Sequence, residues 1–357
     1  MATAYININQ LNENLKLINK EINNKKIIAV IKANAYGHDS VIMAKELIKR
    51  NVDIFAVANI QEALKLRNNG ILSDILILGK TNSSLFYLIE KNNFVQTVFS
   101  YDYYKEIKKS EYKFPIHLKF DVGMNRLGFP IITKEQRVQT EKQIEEILKD
   151  KKNEIKGVFS HFNNAMDKKT STKQQDIFFN FIKKFKFNYD ILIHLNNSQG
   201  AMLYKENKFN AVRIGLLLYG IDQTKTIKVK PILSLYAKVI SIKKIYKGMT
   251  ISYGDKAKIK HNTNIAVISI GYADGISRKY SKKGFLSFGG KKIKIVGDIT
   301  MDYLMVDIEN HEIKVGDYLE IIGDNINVLE ISKKLDTIPY EIFVNLGSRV
   351  ERKVIYD

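Results

Sequence analysis

Lys32 ends the apolar run Ile27–Ile31 inside the stretch Ala29-Val-Ile-Lys-Ala-Asn-Ala-Tyr-Gly-His38. A lysine at the end of an apolar strand is partly desolvated, which lowers its pKa and suits it to Schiff-base chemistry with a carbonyl compound. The same placement also fits a lysine snorkelling out of a strand end, and position alone leaves the two readings level. Tyr253 is one of 19 tyrosines, and taken singly it reads as a strand tyrosine with its hydroxyl in water. Arg213 and His161 also end apolar runs, where a strand-capping arginine and a satisfied core or rim histidine are the plain readings. Ser198 reads equally well as a helix N-cap or as a contact for an anion. The chain has no cysteine, which excludes disulfides, thiolate catalysis and cysteine-based metal sites. No metal ligand set is expected.

Groups like these need a scaffold, and the first two-thirds of the chain has a recognisable one. Short β-branched runs, Ile27–Ile31, Phe55–Ala58, Ile75–Leu78, Thr97–Ser100, Ile116–Phe120, Gly157–Ser160, Ile191–His194 and Ala211–Ile214, alternate with amphipathic stretches such as Ser40–Arg50 and Gln61–Asn68. Near-continuous apolar strands alternating with helices imply a parallel sheet buried on both faces. Eight such units point to a closed (β/α)8 TIM-type barrel, with an open doubly wound sheet as the alternative. In a barrel, Lys32 sits at the C-terminal strand face, where active sites are built. After about Val229 the pattern changes. Leu233–Tyr246, Ile265–Ile270, Phe285–Phe288, Ile293–Val296 and Tyr303–Ile308 read as strands joined by Lys-Gly and Gly-Asp turns, with one helical stretch at Val328–Leu335. The expectation is a barrel over residues 1–228 and a mostly antiparallel β domain over 229–357. The opening run Ala4–Ile8 is a candidate to pair with that second domain.

Composition narrows the classes. Of 357 residues, 45% are hydrophobic and 27% charged, the balance of an ordinary globular protein. The net charge of +19 invites a nucleic-acid or membrane reading, but the lysines are spread among Asn, Ile, Asp and Glu, with no basic stripe interleaved with aromatics. We therefore expect no nucleic-acid and no membrane partner. No apolar run has the length to cross a bilayer, and Met1–Gln10 lacks a secretory pattern, so the expected location is cytoplasmic.

The segment around Lys32 resembles the pyridoxal-phosphate attachment motif of alanine racemases, and the resemblance continues in order along the chain. Phe55-Ala-Val-Ala58 with Glu62-Ala63 and Leu66-Arg67 comes first, then His117-Leu-Lys-Phe-Asp-Val-Gly-Met-Asn-Arg-Leu-Gly128. Val158-Phe-Ser-His-Phe162, His194-Leu-Asn-Asn-Ser198, Val212-Arg-Ile-Gly-Leu216 and Leu218-Tyr-Gly220 follow. The second domain adds Ser252-Tyr-Gly254, Ile270-Gly-Tyr-Ala-Asp-Gly275 and Met301-Asp302. One short motif is weak evidence; an ordered series over the whole chain is strong.

The resemblance implies a homodimeric isomerase that interconverts L- and D-alanine on pyridoxal 5'-phosphate, feeding cell-wall peptidoglycan synthesis. It implies Lys32 as cofactor anchor and as base for the D-enantiomer, with Tyr253 serving the L-enantiomer from the partner subunit. Two acid/base groups on opposite faces are the minimum for moving a proton across a carbon. By the same resemblance Arg213 meets the cofactor's ring nitrogen, and His161 links that arginine to the tyrosine. Tyr36, Ser198 and the backbone N–H groups of Gly215 and Leu216 would hold the phosphate. Arg126 and the Met301 N–H would hold the substrate carboxylate, Lys119 matches a position often carried as a carbamylated lysine, and Tyr272 and Arg278 would line the entrance. Thr300, Asp298, Ser348 and Met166 depart from the family pattern around that entrance, which puts substrate breadth in doubt. A broad-specificity amino-acid racemase is the near alternative. A fold-related pyridoxal-phosphate decarboxylase is disfavoured by the missing cysteine, and a non-catalytic pyridoxal-phosphate-binding protein by the second-domain motifs.

Overall fold

The structure, a computed structural model, describes residues 2–187, 190–205, 208–253, 258–281 and 283–356. Gly254 of the Ser252-Tyr-Gly254 motif lies outside the described residues. The chain divides into two compact units, one of Asn12–Ala35 and Ser40–Lys230, the other of Met1–Leu11, Tyr36–Asp39 and Pro231–Asp357.

The chain opens with β1 (Thr3–Asn7) and α1 (Ile8–Glu21). Then come β2 (Lys26–Val30), α2 (Lys32–Tyr36), α3 (Ser40–Ile48), β3 (Ile54–Val57), α4 (Ile60–Asn68), β4 (Asp74–Ile77), α5 (Phe86–Lys91), β5 (Val95–Val98) and α6 (Tyr101–Lys109). They are followed by β6 (Ile116–Asp121), the two-residue β7 (Phe129–Pro130), α7 (Lys134–Lys149), β8 (Ile155–Phe159), α8 (Lys168–Ile182), β9 (Leu192–His194), α9 (Ser198–Leu203) and β10 (Ala211–Ile214). The strands β2, β3, β4, β5, β6, β8, β9 and β10 pair in parallel, and the β5–β6 pairing closes the ring. The closed barrel, not the open sheet, is the architecture. The strand is Val95–Val98, two residues earlier than the expected Thr97–Ser100, because the buried polar residues Gln96 and Thr97 mask its apolar character.

Strand alternation explains both faces of the barrel wall. On β6, Ile116, Leu118 and Phe120 pack outward, and the Phe120 ring meets Phe178 and Phe181 of α8 at centroid distances of 5.9 and 5.5 Å. His117, Lys119 and Asp121 occupy the alternate positions and are also buried. The interior of this barrel is therefore polar along one strand, where a barrel core is ordinarily filled by branched apolar side chains. Local signals start the helices: Thr133 and Gln136 form a reciprocal capping box on α7, and Asn59 caps α4.

The second unit contains β11 (Leu233–Ile245), β12 (Thr263–Ile268), β13 (Phe285–Phe288), β14 (Lys291–Val296), β15 (Leu304–Asp307), β16 (Tyr318–Ile322), α10 (Val328–Leu335), α11 (Pro339–Val344) and β17 (Glu351–Ile355). Its strands run β12-β15-β14-β13-β16-β11, and the β11–β12 pairing closes them into an antiparallel ring. On β11, Leu233, Leu235, Ala237 and Val239 alternate inward. β1 joins this unit, antiparallel to β11 and parallel to β17, as its run Ala4–Ile8 suggested. Among the described residues no helix is long and apolar enough to cross a membrane.

Candidate functional site

The expected site residues fall into two sets, one in each unit. In the barrel unit, Lys32 stands just past the end of β2 and opens an unusual turn. Ala33, Asn34, Ala35 and Tyr36 have φ of 51°, 53°, 54° and 52°, four successive non-glycine residues in the left-handed region. Such residues cost roughly 1–2 kcal/mol each, so the turn persists only if its surroundings hold it. Glu62, at the start of α4, does so with both carboxylate oxygens. Oε1 accepts the Ala33 N–H at 2.8 Å and Oε2 accepts the Ala58 N–H at 2.7 Å. Asn34 Oδ1 accepts from the Ser40 backbone N–H at 3.1 Å and from Lys65 Nζ at 2.8 Å. The Glu62–Ala33 bond, charge-assisted and worth about 1.5–3 kcal/mol, offsets part of the strain, and the Ala58 bond fixes the carboxylate that makes it. Burial first, then the charge of Arg126, pulls the Lys32 amine below the ordinary lysine value; Glu62 opposes and Arg213 adds to the depression. Lys32 has no ion pair among the described residues. The combination shifts the amine toward its neutral form.

Arg126 is carried by a loop that Asp121 fastens. Asp121 Oδ1 accepts the N–H groups of Gly123, Met124 and Asn125 at 2.8, 2.9 and 3.1 Å. Gly128 closes the loop at φ 138°, where a Cβ would lie 2.6 Å from the Phe120 carbonyl carbon. The Asp-x-Gly-Met-Asn-Arg-x-Gly pattern is thus a device that presents an exposed arginine. Lys119 sits over the Phe159 ring at 5.7 Å, and burial, with Arg126 and then Arg213, depresses it to about 8.

Arg213 is buried on β10. Nη1 donates to His194 Nδ1 at 2.7 Å, and Nη2 donates to the Ser160 carbonyl at 2.8 Å, His161 Nδ1 at 2.9 Å and the Leu195 carbonyl at 2.9 Å. These partners only receive, so the guanidinium keeps its proton although burial lowers its pKa. Its Nε meets no acceptor among the described residues. His161 is held well below the usual imidazole range by burial and the Arg213 charge, and so is neutral. Ser198 accepts the Gly215 N–H at 3.1 Å; the cap of α9 is Asn197, which corrects the alternative that Ser198 caps it. The Leu216 N–H has no protein acceptor among the described residues.

The other unit carries the second set. Tyr36 is buried and its ring lies 5.5 Å from that of Tyr340. Tyr253 is 72% exposed and follows Ser252, whose φ is 67° and whose hydroxyl donates to the Asp298 carbonyl at 2.8 Å. Met301 is exposed on a turn tied to the Tyr272 segment, where the Tyr272 and Ala273 N–H groups donate to the Thr300 and Met301 carbonyls, each at 3.0 Å. Arg349 braces the turn by pairing with Asp274 at 3.0 Å and Asp302 at 2.8 Å. Arg278 pairs with Asp298 at 3.1 Å, so the departure at position 298 supplies a partner for an expected entrance cation. Tyr272 and Tyr303 are exposed beside them, giving an aromatic rim.

Four residues of these sets, Glu62, His117, His194 and Arg349, carry no local signal of their role in the sequence. Glu62 was visible as the N3 acid of α4 after Asn59; nothing in its spacing signals bonds to a turn 29 residues earlier. Among the described residues no cluster of His, Asp and Glu is fit to hold a metal. The barrel set suits an anionic aromatic cofactor with a carbonyl: a depressed amine, a guanidinium Nε–H and a backbone N–H, all without partners among the described residues, are the donors such a group needs.

Comparisons with known proteins agree along the whole chain. The alanine racemase N-terminal domain family matches residues 6–223, and the alanine racemase C-terminal domain family residues 232–354. The chain is 37% identical to an alanine racemase of Clostridium novyi, over 99% of this chain and 95% of the relative. The solved alanine racemase of Clostridium difficile superposes with a TM-score of 0.93 at 34% identity, covering 100% of this chain and 96% of that one. That of Bartonella henselae with covalently bound pyridoxal phosphate gives 0.88 at 29% identity, over 99% of each chain.

Proposed function

The chain belongs to the alanine racemase family, and from that premise we propose that it interconverts L- and D-alanine, with pyridoxal phosphate held on Lys32. The Lys32 amine supports this best, because it is depressed by burial and neighbouring cations and has no ion pair among the described residues. Bound there, the cofactor withdraws electrons from the substrate and acidifies its Cα–H bond. Lys32 takes or returns the proton on the face belonging to D-alanine; the Tyr253 phenol does so on the opposite face for L-alanine. Arg213 offers Nε–H to the ring nitrogen while keeping its own proton, and His161 carries the connection from Arg213 toward Tyr253. Ser198, Tyr36 and the N–H groups of Gly215 and Leu216 bind the phosphate. Arg126 and the Met301 N–H orient the substrate carboxylate.

Lys119 is read as carbamylated. A buried amine depressed to about 8 is partly neutral near neutral pH and can add carbon dioxide, losing a proton, and the resulting anion would orient Arg126. An unmodified Lys119 in a high-resolution density map overturns that assignment. Residues 1–228 act as the cofactor-binding domain, apart from β1, which pairs within the β domain of residues 229–357, and the enzyme is a homodimer in which Tyr253 enters the partner subunit's barrel. The exposed rim of Tyr253, Tyr272, Met301 and Tyr303 supports the last point, since such a surface calls for a covering partner. The enzyme works in the cytoplasm and supplies D-alanine for peptidoglycan. Tyr272 and the Arg278–Asp298 pair line the entrance. Asp298, Met166 and Ser348 keep a broader amino-acid racemase as the second reading.

Chiral analysis of the purified protein against a panel of L-amino acids tests both readings. Alanine should racemise much faster than serine or larger substrates; comparable rates favour the broader enzyme, and no racemisation overturns both. Lys32→Ala should lose activity together with the visible absorbance of the attached cofactor. Retention of that absorbance would falsify the anchor assignment.

A further inference from the structure

His117 and His194 lie inside the barrel and have no part in the reading above. His117 is two residues before Lys119 on β6, so both face the interior, roughly 7 Å apart along the strand. Opposite it on β8 stands Gly157, where a Cβ would come 2.6 Å from the His117 ring. The missing side chain is what leaves room for the imidazole. His117 Nδ1 is 3.2 Å from His194 Nε2, and His194 Nδ1 is 2.7 Å from Arg213 Nη1. Phe159 stacks on the His194 ring at 4.7 Å and 7°, which fixes the ring plane.

The proton positions follow from donor arithmetic. A guanidinium only donates, so the Nδ1 atoms of His194 and His161 must both present lone pairs. The single proton of a neutral His194 then sits on Nε2 and donates to His117 Nδ1. That in turn requires the His117 proton on Nε2. His117 Nε2–H then faces away from His194, and His117 lines a cavity that also carries Asp74, Glu154, Lys156 and Asp190. Burial, with the Arg213 charge contributing, holds both rings far below the usual imidazole range, His117 at about 3. Protonating His194 would place one N–H against another.

We propose that His117 and His194 are positioning residues, a chain of fixed tautomers that holds the Arg213 guanidinium in the orientation leaving Nε–H for the cofactor ring. This rests on the role given to Arg213 above. Without the His117 acceptor, the His194 Nε2–H is left unpaired inside the barrel, and a ring that shifts to pair it carries its Nδ1 away from the Arg213 guanidinium.

The test begins with cofactor-free protein carrying 15N-labelled histidine, six residues in all. Long-range 1H–15N spectra should show His117 and His194 neutral and protonated at Nε2 in mild acid as well as mild base. In the holoenzyme, His117→Leu should lower kcat by about tenfold to a hundredfold with little change in KM, the scale of a small misplacement of a reacting group. His117→Asn, whose Oδ1 can stand where Nδ1 stood, should recover most of that loss. Gly157→Ala, which pushes His117 aside without changing its chemistry, should behave like the leucine variant. An imidazolium or an Nδ1–H at His194 in the wild-type spectra overturns the proposal even if every variant fails to fold. Equal kcat loss in the leucine and asparagine variants overturns it too. Absence of racemisation by the wild-type enzyme removes the functional reading, and this use of the chain with it. That failure is told apart because the spectra need no cofactor.

Discussion

Lys119 shows how a single residue here is governed by what surrounds it. It is buried and faces the charges of Arg126 and Arg213, which outweigh the opposing contribution of Asp121, with Lys32 adding a little more. Its folded-state value is about 8 against an ordinary 10.5. Between those values the unfolded chain binds the proton that the folded chain has released, so unfolding free energy rises with pH through that window, and the full cost of holding the cation is felt below it. Cofactor-free protein in buffer free of carbon dioxide should therefore show urea midpoints that climb from about pH 8 to about pH 10, and Lys119→Met should flatten the climb. A wild-type midpoint that falls over this range, or an unchanged slope in the methionine variant, contradicts the assignment. Residues of this kind were legible in the sequence when they ended an apolar run, as Lys32 and Arg213 do. Glu62, His117 and His194 were not, because their partners are backbone groups or side chains on distant strands, which no local spacing reports.

At the scale of elements, the left-handed turn after β2 is the costliest piece of local structure near Lys32, and it is held from α4. Glu62→Gln keeps one oxygen acceptor but turns an NH2 group toward either the Ala33 or the Ala58 N–H. That variant should lose about 2–3 kcal/mol in urea unfolding, from one charge-assisted bond broken and one buried donor stranded. It should also attach pyridoxal phosphate more weakly, because the turn sets the direction of Lys32. Unchanged stability together with unchanged cofactor retention would show that the turn holds itself. The turn had no signature: Ala-Asn-Ala-Tyr contains no glycine, and propensity would place it in an ordinary helix. The barrel strands, by contrast, were all legible from their apolar runs, within a few residues at their ends. In the β unit, β16 and β17 were missed, β17 because its Glu-Arg-Lys start reads as surface. The closure of β11 on β12 was missed because ring closure depends on register between strands, not on the composition of either.

For the whole molecule, the decisive feature is that the two proposed proton carriers belong to different compact units, Lys32 to the barrel unit and Tyr253 to the β unit. Tyr253 is among the most exposed aromatic residues of its unit, an arrangement that suits a residue whose work lies on another surface. If each site takes its lysine from one subunit and its tyrosine from the other, the two defects can be separated by mixing. Lys32→Ala and Tyr253→Phe homodimers should each be nearly inactive in racemisation. A mixed dimer would hold one site with both defects and one site with neither. Equal amounts of the two variants, unfolded together and refolded, or co-expressed with different tags, should therefore regain about a quarter of the wild-type active sites by random pairing. Activity should appear only in the doubly tagged fraction and scale with its amount. Recovery there, with none in either parent, requires a site built from two chains. An inactive doubly tagged dimer would place both groups of each site in one subunit, and a monomer by sedimentation that still racemises alanine would remove the need for a partner altogether.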